Sequence, residues 1–430
     1  MPREKPILFD KYPKLEEKVP WLPILTNVPT AVDRLEKLEA HLKMSEGSIY
    51  IKRDDKDHHL YGGNKLRKFE FIFGDIIQRE KKGVMTFGGI GTNHGLACAI
   101  VARDLGVKCH LFLAKQPLTW HVQRSLLLFD YFGAKIHYSK GYGLTALKAI
   151  LFRLIHPSIY VMLPGGSLLL GKGNPLGTVG FINAMFELNK QIENKELKKP
   201  DIIFVAGGST GTAAGLIAGA KLLGLNIKFQ VVAVSDEMFV NKESIMMNSN
   251  KALQYLQDLD DTLPKVEVAE NDFEVITGYL GSEYGVKTKR GQNAVNIVMK
   301  LEGKRKGFKL ETTYTGKAVA GMLDFIEKNE DNRSKTFLFW NTYNSNDLDY
   351  LLREIGLNWK RLPRKLHQFY ENKVFQCWQI KDCSPKIREK CPAYLNHEYR
   401  CWKIRKCDED QRKTCKAYEE LTKTVPVEDA

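Results

Sequence analysis

Apolar runs and amphipathic stretches follow one another along most of the chain. Residues 48–52, Ser48-Ile49-Tyr50-Ile51-Lys52, form a short apolar run that reads as a strand, and helical spacing then predicts a helix over 66–82. The same reading gives a strand at 83–87, a helix at 95–105, a strand at 107–114 and a helix at 123–132. Farther on come a strand at 201–206, a helix at 212–223 and a strand at 227–235. Ahead of this series, after a lead punctuated by Pro13, Pro20, Pro23 and Pro29, residues 31–43 carry helical periodicity. Repeated strand-helix units of this length predict an α/β chain whose parallel sheets are covered by helices on both faces. Ligands in such folds sit beyond the carboxyl ends of the strands.

Three glycine turns fall at such ends. The first is Tyr61-Gly62-Gly63-Asn64-Lys65, which runs directly into an amphipathic helix. A lysine at a helix mouth feels the partial positive charge of the N-terminus, which disfavours protonation. As a neutral amine, Lys65 is placed to attack a carbonyl and form a Schiff base; taken by itself, the turn reads more readily as a solvated lysine after a bend. The second is Gly88-Gly89-Ile90-Gly91-Thr92-Asn93-His94. Its polar residues either cap the next helix or hold a ligand carboxylate. The third, Gly207-Gly208-Ser209-Thr210-Gly211-Thr212, follows the apolar strand Ile202-Ile203-Phe204-Val205 and opens a small-residue helix. Glycines allow amides to approach an anion, and the hydroxyls add donors. It lacks the Gly-Lys-Ser/Thr of a P-loop and the order of a dinucleotide fingerprint, so a compact phosphate fits better, with a glycine turn that packs the helix tightly on the strand as the alternative.

With 430 residues, 43% hydrophobic and 27% charged, the chain has ordinary globular composition and room for two or three domains. The net charge of +14 raises nucleic acid or an anionic surface as partners, but basic and acidic residues alternate on stretches such as 34–43. That pattern describes a solvated basic surface, with no nucleic-acid or membrane partner. No apolar run is long enough to cross a bilayer, and the N-terminus has no apolar signal core, so the expectation is a soluble cytoplasmic protein. Cys98 and Cys109 lie in apolar contexts that suggest core packing.

The lysine turn, the Thr-Asn-His turn, the Gly/Ser/Thr loop and Tyr314-Thr315-Gly316-Lys317-Ala318 occur in that order. Together with Lys52-Arg53-Asp54-Asp55, Asn174-Pro175-Leu176-Gly177 and Glu283-Tyr284-Gly285, they resemble the D-cysteine desulfhydrase and 1-aminocyclopropane-1-carboxylate deaminase family of pyridoxal-phosphate enzymes. The match runs from about residue 23 to about residue 343. The resemblance implies the tryptophan-synthase-β-like fold, fold type II, with two parallel or mixed sheets. It implies a large cofactor domain at 1–75 and 190–365, a small domain at 76–189, and a homodimer. Lys65 would carry the cofactor aldehyde and take the substrate α-proton. Lys68 and the amides and hydroxyls of Gly208, Ser209, Thr210, Gly211 and Thr212 would hold the phosphate. Asn93 would meet the ring oxygen, and Thr92, Asn93 and His94 the substrate carboxylate. Tyr284 and Tyr314 would flank the reacting side chain, and Thr315 would meet the pyridine nitrogen.

Members that open the cyclopropane ring have glutamate after the tyrosine, where this chain has Thr315. A hydroxyl does not insist on a protonated ring, which favours β-elimination from D-cysteine or a related small amino acid over the deaminase reaction. Two departures stand out. Asn341-Thr342-Tyr343-Asn344 replaces the usual His-Thr-Gly-Gly, and Gly91 stands where a glutamine usually precedes the substrate loop. They keep open a protein that binds the cofactor as a sensor without the usual turnover.

The tail carries a repeat: Cys377-Trp378 through Cys383 and Cys391, then Cys401-Trp402 through Cys407 and Cys415, all within a module at 370–422. It resembles the tandem Cys-Trp module appended to various bacterial proteins. Clustered cysteines in a cytosolic chain point to zinc or an iron-sulfur centre, with disulfides and free thiols as the alternatives.

Overall fold

The structure is a computed structural model that describes residues 4–168, 171–282, 284–354, 359–370 and 410–411. The chain divides into two compact units, Met1–Lys82 with Tyr160–Asn346, and Gly83–Ile159 with Asp347–Ala430.

The first unit is built on a six-stranded sheet of β1 (Val32–Arg34), β2 (Ile49–Lys52), β7 (Ile202–Gly207), β8 (Lys228–Ala233), β9 (Phe273–Ile276) and β10 (Phe337–Trp340), ordered β1-β2-β10-β7-β8-β9. All neighbours are parallel except β1, which runs antiparallel to β2 at the edge. The central strands β2 and β10 are buried at every position, as parallel strands covered on both faces require. The four-stranded sheet, ordered β5-β4-β3-β6, contains β3 (Gly83–Gly89), β4 (Lys108–Ala114), β5 (Lys135–Ser139) and β6 (Ile159–Val161). This is the α/β, two-sheet architecture expected.

Numbering the helices of ten or more residues, α1 is Lys65–Gln78, α2 Asn93–Asp104, α3 Trp120–Tyr131, α4 Tyr142–Ile155, α5 Leu176–Glu193, α6 Gly211–Leu222, α7 Lys242–Leu259, α8 Lys289–Val298 and α9 Thr315–Lys328. The helix expected over 31–43 is in fact strand β1 followed by a short helix, Glu36–His41. Val32 and Arg34 pair with Lys52 and Tyr50, so an edge of the sheet takes residues whose periodicity alone reads as helical.

The unit boundaries differ from the expected 76–189 small domain. Residues 160–189 belong with the first unit because α5 packs on α1 and α6. An added Cβ at Gly180 would lie 2.2 Å from the Arg67 carbonyl oxygen, and one at Gly215 would lie 2.4 Å from Phe181 Cβ. The described residues after 346 group with the second unit, where the Tyr370 hydroxyl donates to the Gln123 carbonyl at 2.7 Å. Cys98 on α2 and Cys109 on β4 are buried free thiols with sulfurs 3.8 Å apart, as core packing anticipates. Cys377, Cys383, Cys391, Cys401, Cys407 and Cys415 lie outside the described residues. Among the described residues no group of three or more His, Cys, Asp or Glu is placed to hold a metal ion.

Candidate active site

The lysine turn is shaped by backbone crowding. An added Cβ at Gly62 would fall 2.1 Å from the Asp55 carbonyl oxygen, and Gly63 adopts φ +112, a conformation that favours glycine. The Gly63 amide donates to the Asp54 carbonyl at 2.6 Å, the Gly62 amide to Asn344 Oδ1 at 2.9 Å, and the Asn64 amide to the Thr342 carbonyl at 3.2 Å. Residues 341–344, the departure from the usual His-Thr-Gly-Gly, therefore brace the turn by hydrogen bonds. Lys65 is the first residue of α1 and half-buried, its amine donating to Asn64 Oδ1 at 3.0 Å. Burial lowers its pKa to about 8. A neutral amine at near-neutral pH is what carbonyl attack needs.

Two residues on, Arg67 anchors α1 in the core. Its guanidinium bonds Asp54 at 2.7 Å and Glu187 at 2.8 Å, while Lys52 reaches Glu187 at 2.8 Å and the Trp340 indole donates to Asp54 at 2.6 Å. Removing one member of so buried a set leaves an uncompensated charge, so it fixes where α1 begins.

Lys68, one turn beyond Lys65, donates to Ser167 Oγ at 2.7 Å and to the Gly165 carbonyl at 3.0 Å. Ser167 Oγ lies 3.4 Å from Ser209 Oγ, which brings β7's carboxyl end to the same place. Thr210 takes φ +58, unusual for a β-branched residue, with Asn248 Nδ2 donating to its hydroxyl at 2.8 Å. Asn64 Nδ2 donates to Thr212 Oγ1 at 2.9 Å, joining the lysine turn to this loop. At Gly211 an added Cβ would lie 2.2 Å from Ser167 Oγ and 3.1 Å from Lys68 Nζ. The Gly211 amide donates to the Ser209 carbonyl at 2.7 Å, so the expected phosphate contact from that amide is instead an internal bond of the turn. Burial, and then the charge of Lys65, push the Lys68 pKa well down. An anion here would relieve both effects. Lys68, the hydroxyls of Ser167, Ser209 and Thr212, and the N-terminus of α6 form a donor-rich cradle that fits the phosphate of pyridoxal phosphate.

Tyr314 lies against the same loop, its ring 3.0 Å from where a Cβ at Gly208 would stand. Its hydroxyl is hydrogen-bonded to that of Tyr284, and the rings meet edge to face at 6.0 Å. Burial, then the neighbouring Tyr284, raise the Tyr314 pKa well above the usual phenol value. Thr315 is fully buried at the start of α9. Its hydroxyl accepts from the Glu311 amide at 2.9 Å and lies 3.3 Å from both the Glu311 carbonyl and its carboxylate. That carboxylate also accepts the amides of Thr313, Tyr314 and Thr315. The hydroxyl expected at the pyridine nitrogen is thus set in a helix cap built by Glu311.

In the second unit, Thr92 precedes α2 and its Oγ1 accepts from the Gly95 amide at 3.3 Å, the capping role. Asn93 is the first residue of the helix. The His94 ring differs from the expected carboxylate contact: it is buried, with Nε2 2.8 Å from Thr86 Oγ1 on β3. As the second residue of α2, it turns back onto the strand that delivers the loop.

Ser167, Asn248 and Glu311 were not singled out by sequence reasoning, and Asn64 and Asn344 entered it only as members of the lysine turn and of the replaced His-Thr-Gly-Gly. Pro164-Gly165-Gly166-Ser167 is a glycine turn like the others, and that was a usable signal. Asn248 meets Thr210 across 38 positions, and Glu311 caps its own neighbours only once that segment turns into α9.

Residues 25–342 match the family described as Pyridoxal-phosphate dependent enzyme. The chain is 31% identical over 346 residues to the D-cysteine desulfhydrase of Salmonella newport, covering 77% of this chain and 94% of that protein, and equally similar to that of Salmonella typhi. Among solved structures, an ACC deaminase homologue superposes with a TM-score of 0.63 at 27% identity, over 82% of this chain and 99% of that one. Serine racemase from Dictyostelium discoideum, with a TM-score of 0.53 at 17% identity over 79% of this chain and 97% of that one, shares the fold. With the family model matched over residues 25–342 and a relative 31% identical over most of the chain, the chain belongs to the pyridoxal-phosphate dependent enzyme family.

Proposed function

We propose that the protein is a lyase that eliminates the β-substituent of a small amino acid, D-cysteine or a close analogue. The observation that carries this is Lys65, an amine lowered to about 8, one helical turn from the anion cradle around Lys68. Pyridoxal phosphate would be held by Lys65, Lys68, Ser209, Thr210 and Thr212, with Asn93 as the ring-oxygen partner that the family resemblance implies, and would supply an electron sink at the substrate Cα. Lys65 takes the α-proton. Tyr314, whose proton burial holds firmly, donates a hydrogen bond to the departing thiolate with Tyr284 beside it. Thr92, Asn93 and the first amides of α2 bind the carboxylate, with the His94 ring supporting the loop from behind. D-cysteine and water give pyruvate, ammonia and sulfide.

Thr315 supports elimination over ring opening, because a hydroxyl as the partner of the ring nitrogen does not insist on a protonated ring as a glutamate at that position would. The Salmonella relatives are D-cysteine desulfhydrases, which agrees. The holoenzyme should release pyruvate from D-cysteine and little 2-oxobutanoate from 1-aminocyclopropane-1-carboxylate. Faster turnover of the cyclopropane would reverse the assignment, and no keto acid from any amino acid tested would favour a binding protein.

A homodimer is part of this reading. Helix α4 exposes Leu144, Leu147, Leu151 and Leu154, spaced three and four residues apart, with Ile150 and Ile155 beside them. Such a seam suits a second copy of the chain. Leu147→Glu with Leu151→Glu should shift the sedimentation coefficient to that of a monomer; an unchanged value would exclude this face. Among the described residues no helix is long and apolar enough to cross a membrane, and the free thiols of Cys98 and Cys109 suit a reducing cytoplasm.

A further inference from the structure

The tip of the substrate loop is held by residues that lie outside it. The Gly91 amide donates to Gln116 Oε1 at 3.2 Å, and His121 Nε2 lies 3.0 Å from the Gly91 carbonyl, to which it donates. Gln116 follows the end of β4, and His121 is the second residue of α3, so two separate elements take both backbone polar groups of one glycine. The space is made by missing side chains. An added Cβ at Gly89 would fall 2.0 Å from Gln116 Oε1, and one at Gly91 would fall 2.8 Å from Val122 Cγ2 and 2.9 Å from Gln116 Nε2. The carboxamide of Gln116 therefore fills the volume beside the loop that a side chain at either glycine would claim. The Thr92 amide donates back to the Gly89 carbonyl at 3.0 Å, closing the turn, and Asn93 begins α2 immediately after it.

We propose that Gln116, with His121, is a positioning residue for substrate binding: by clamping Gly91 it fixes where Thr92 and Asn93 stand. The proposal rests on the reading of those two residues as carboxylate binders. Its energetic basis is preorganisation. A loop held before binding does not lose its freedom on binding, so the clamp affects substrate affinity and leaves the chemical step alone. Burial, and next the charge of Arg124, keep His121 neutral with a pKa near 4, so the clamp stays intact across the physiological range.

The test compares Gln116→Leu, which keeps the bulk and loses the acceptor, with Gln116→Glu, which keeps an oxygen acceptor for the Gly91 amide. In the holoenzyme, Gln116→Leu should speed hydrogen exchange across residues 88–96. It should weaken binding of D-alanine, a probe with the carboxylate and no leaving group, and raise KM for D-cysteine by about tenfold, as expected for a lost hydrogen bond at an ordered loop. The maximal rate, cofactor absorbance and Tm should be unchanged. Gln116→Glu should restore the exchange protection. Wild-type exchange in Gln116→Leu, or faster exchange with D-alanine affinity held within twofold, would overturn the clamp. A wild-type holoenzyme that binds no D-alanine and leaves D-cysteine untouched would instead remove the reading of Thr92 and Asn93, and the clamp's role with it.

Discussion

Lys65→Ala should abolish the yellow, borohydride-reducible adduct and lower elimination by on the order of a thousandfold or more, since one side chain is both the covalent anchor and the base. The structural argument is local. The turn is fixed by hydrogen bonds from Gly62, Gly63 and Asn64 to residues 54, 342 and 344, and α1 is fixed by Arg67, so the variant should fold. Reduction of the wild type followed by peptide mapping should place a pyridoxyl group on Lys65. A reducible adduct elsewhere in Lys65→Ala protein would refute the assignment.

The lowered pKa gives the same residue a pH signature. With a pKa of about 8, roughly a tenth of the amine is neutral at pH 7, against about three parts in ten thousand at 10.5. Cofactor uptake by the apoprotein should therefore quicken as pH rises and level off above about 8. The sign for stability is the same. Between about 8 and 10.5 the unfolded chain binds the proton and the folded chain does not, so apoprotein stability rises with pH there, and Lys65→Ala should flatten that rise.

Gly211→Val is the second large effect. It should leave a folded protein that retains cofactor at least about a hundredfold more weakly, because Ser167 and Lys68 leave no room for a side chain at that position. Gly211 is not in the left-handed region, so the effect is steric. The new Cβ would stand 2.2 Å from Ser167 Oγ and 3.1 Å from Lys68 Nζ, displacing two of the donors assigned to the phosphate. Ser167→Ala in the same background should recover part of the affinity by making room. Dialysis followed by absorbance titration with pyridoxal phosphate measures both. Wild-type affinity in folded Gly211→Val protein would mean that the phosphate binds elsewhere.

Thr315 shows how far a residue's identity reaches. The hydroxyl in place of a carboxylate is visible in the chain, and it bears on the choice between elimination and ring opening. Its engagement with Glu311 is not visible, because the cap forms only once residues 311–315 turn into α9. The His94 ring is a similar case. The Thr-Asn-His order places three polar residues at a helix start, but whether a ring faces outward or back onto Thr86 depends on the strand beneath it.

The alternation of apolar strands with amphipathic helices determined the parallel α/β architecture, since the two periods, near 2 and near 3.6, are written in the residue order itself. The glycine turns likewise marked the loops that carry Lys65 and Ser209 to Thr212, because a close backbone approach demands glycine wherever the chain goes, whereas the positive φ of the latter loop falls on Thr210. Tertiary structure alone decided what those turns touch. Ser167 meets Lys68 across 99 positions, Asn344 meets Gly62 across 282, and Gln116 meets Gly91 across 25. Tertiary structure also turned residues 32–34 of the periodic stretch into an edge strand and placed α5 in the first unit. Such pairings depend on which backbone groups and which volumes the finished fold leaves to be filled, and local propensity holds no record of partners that distant.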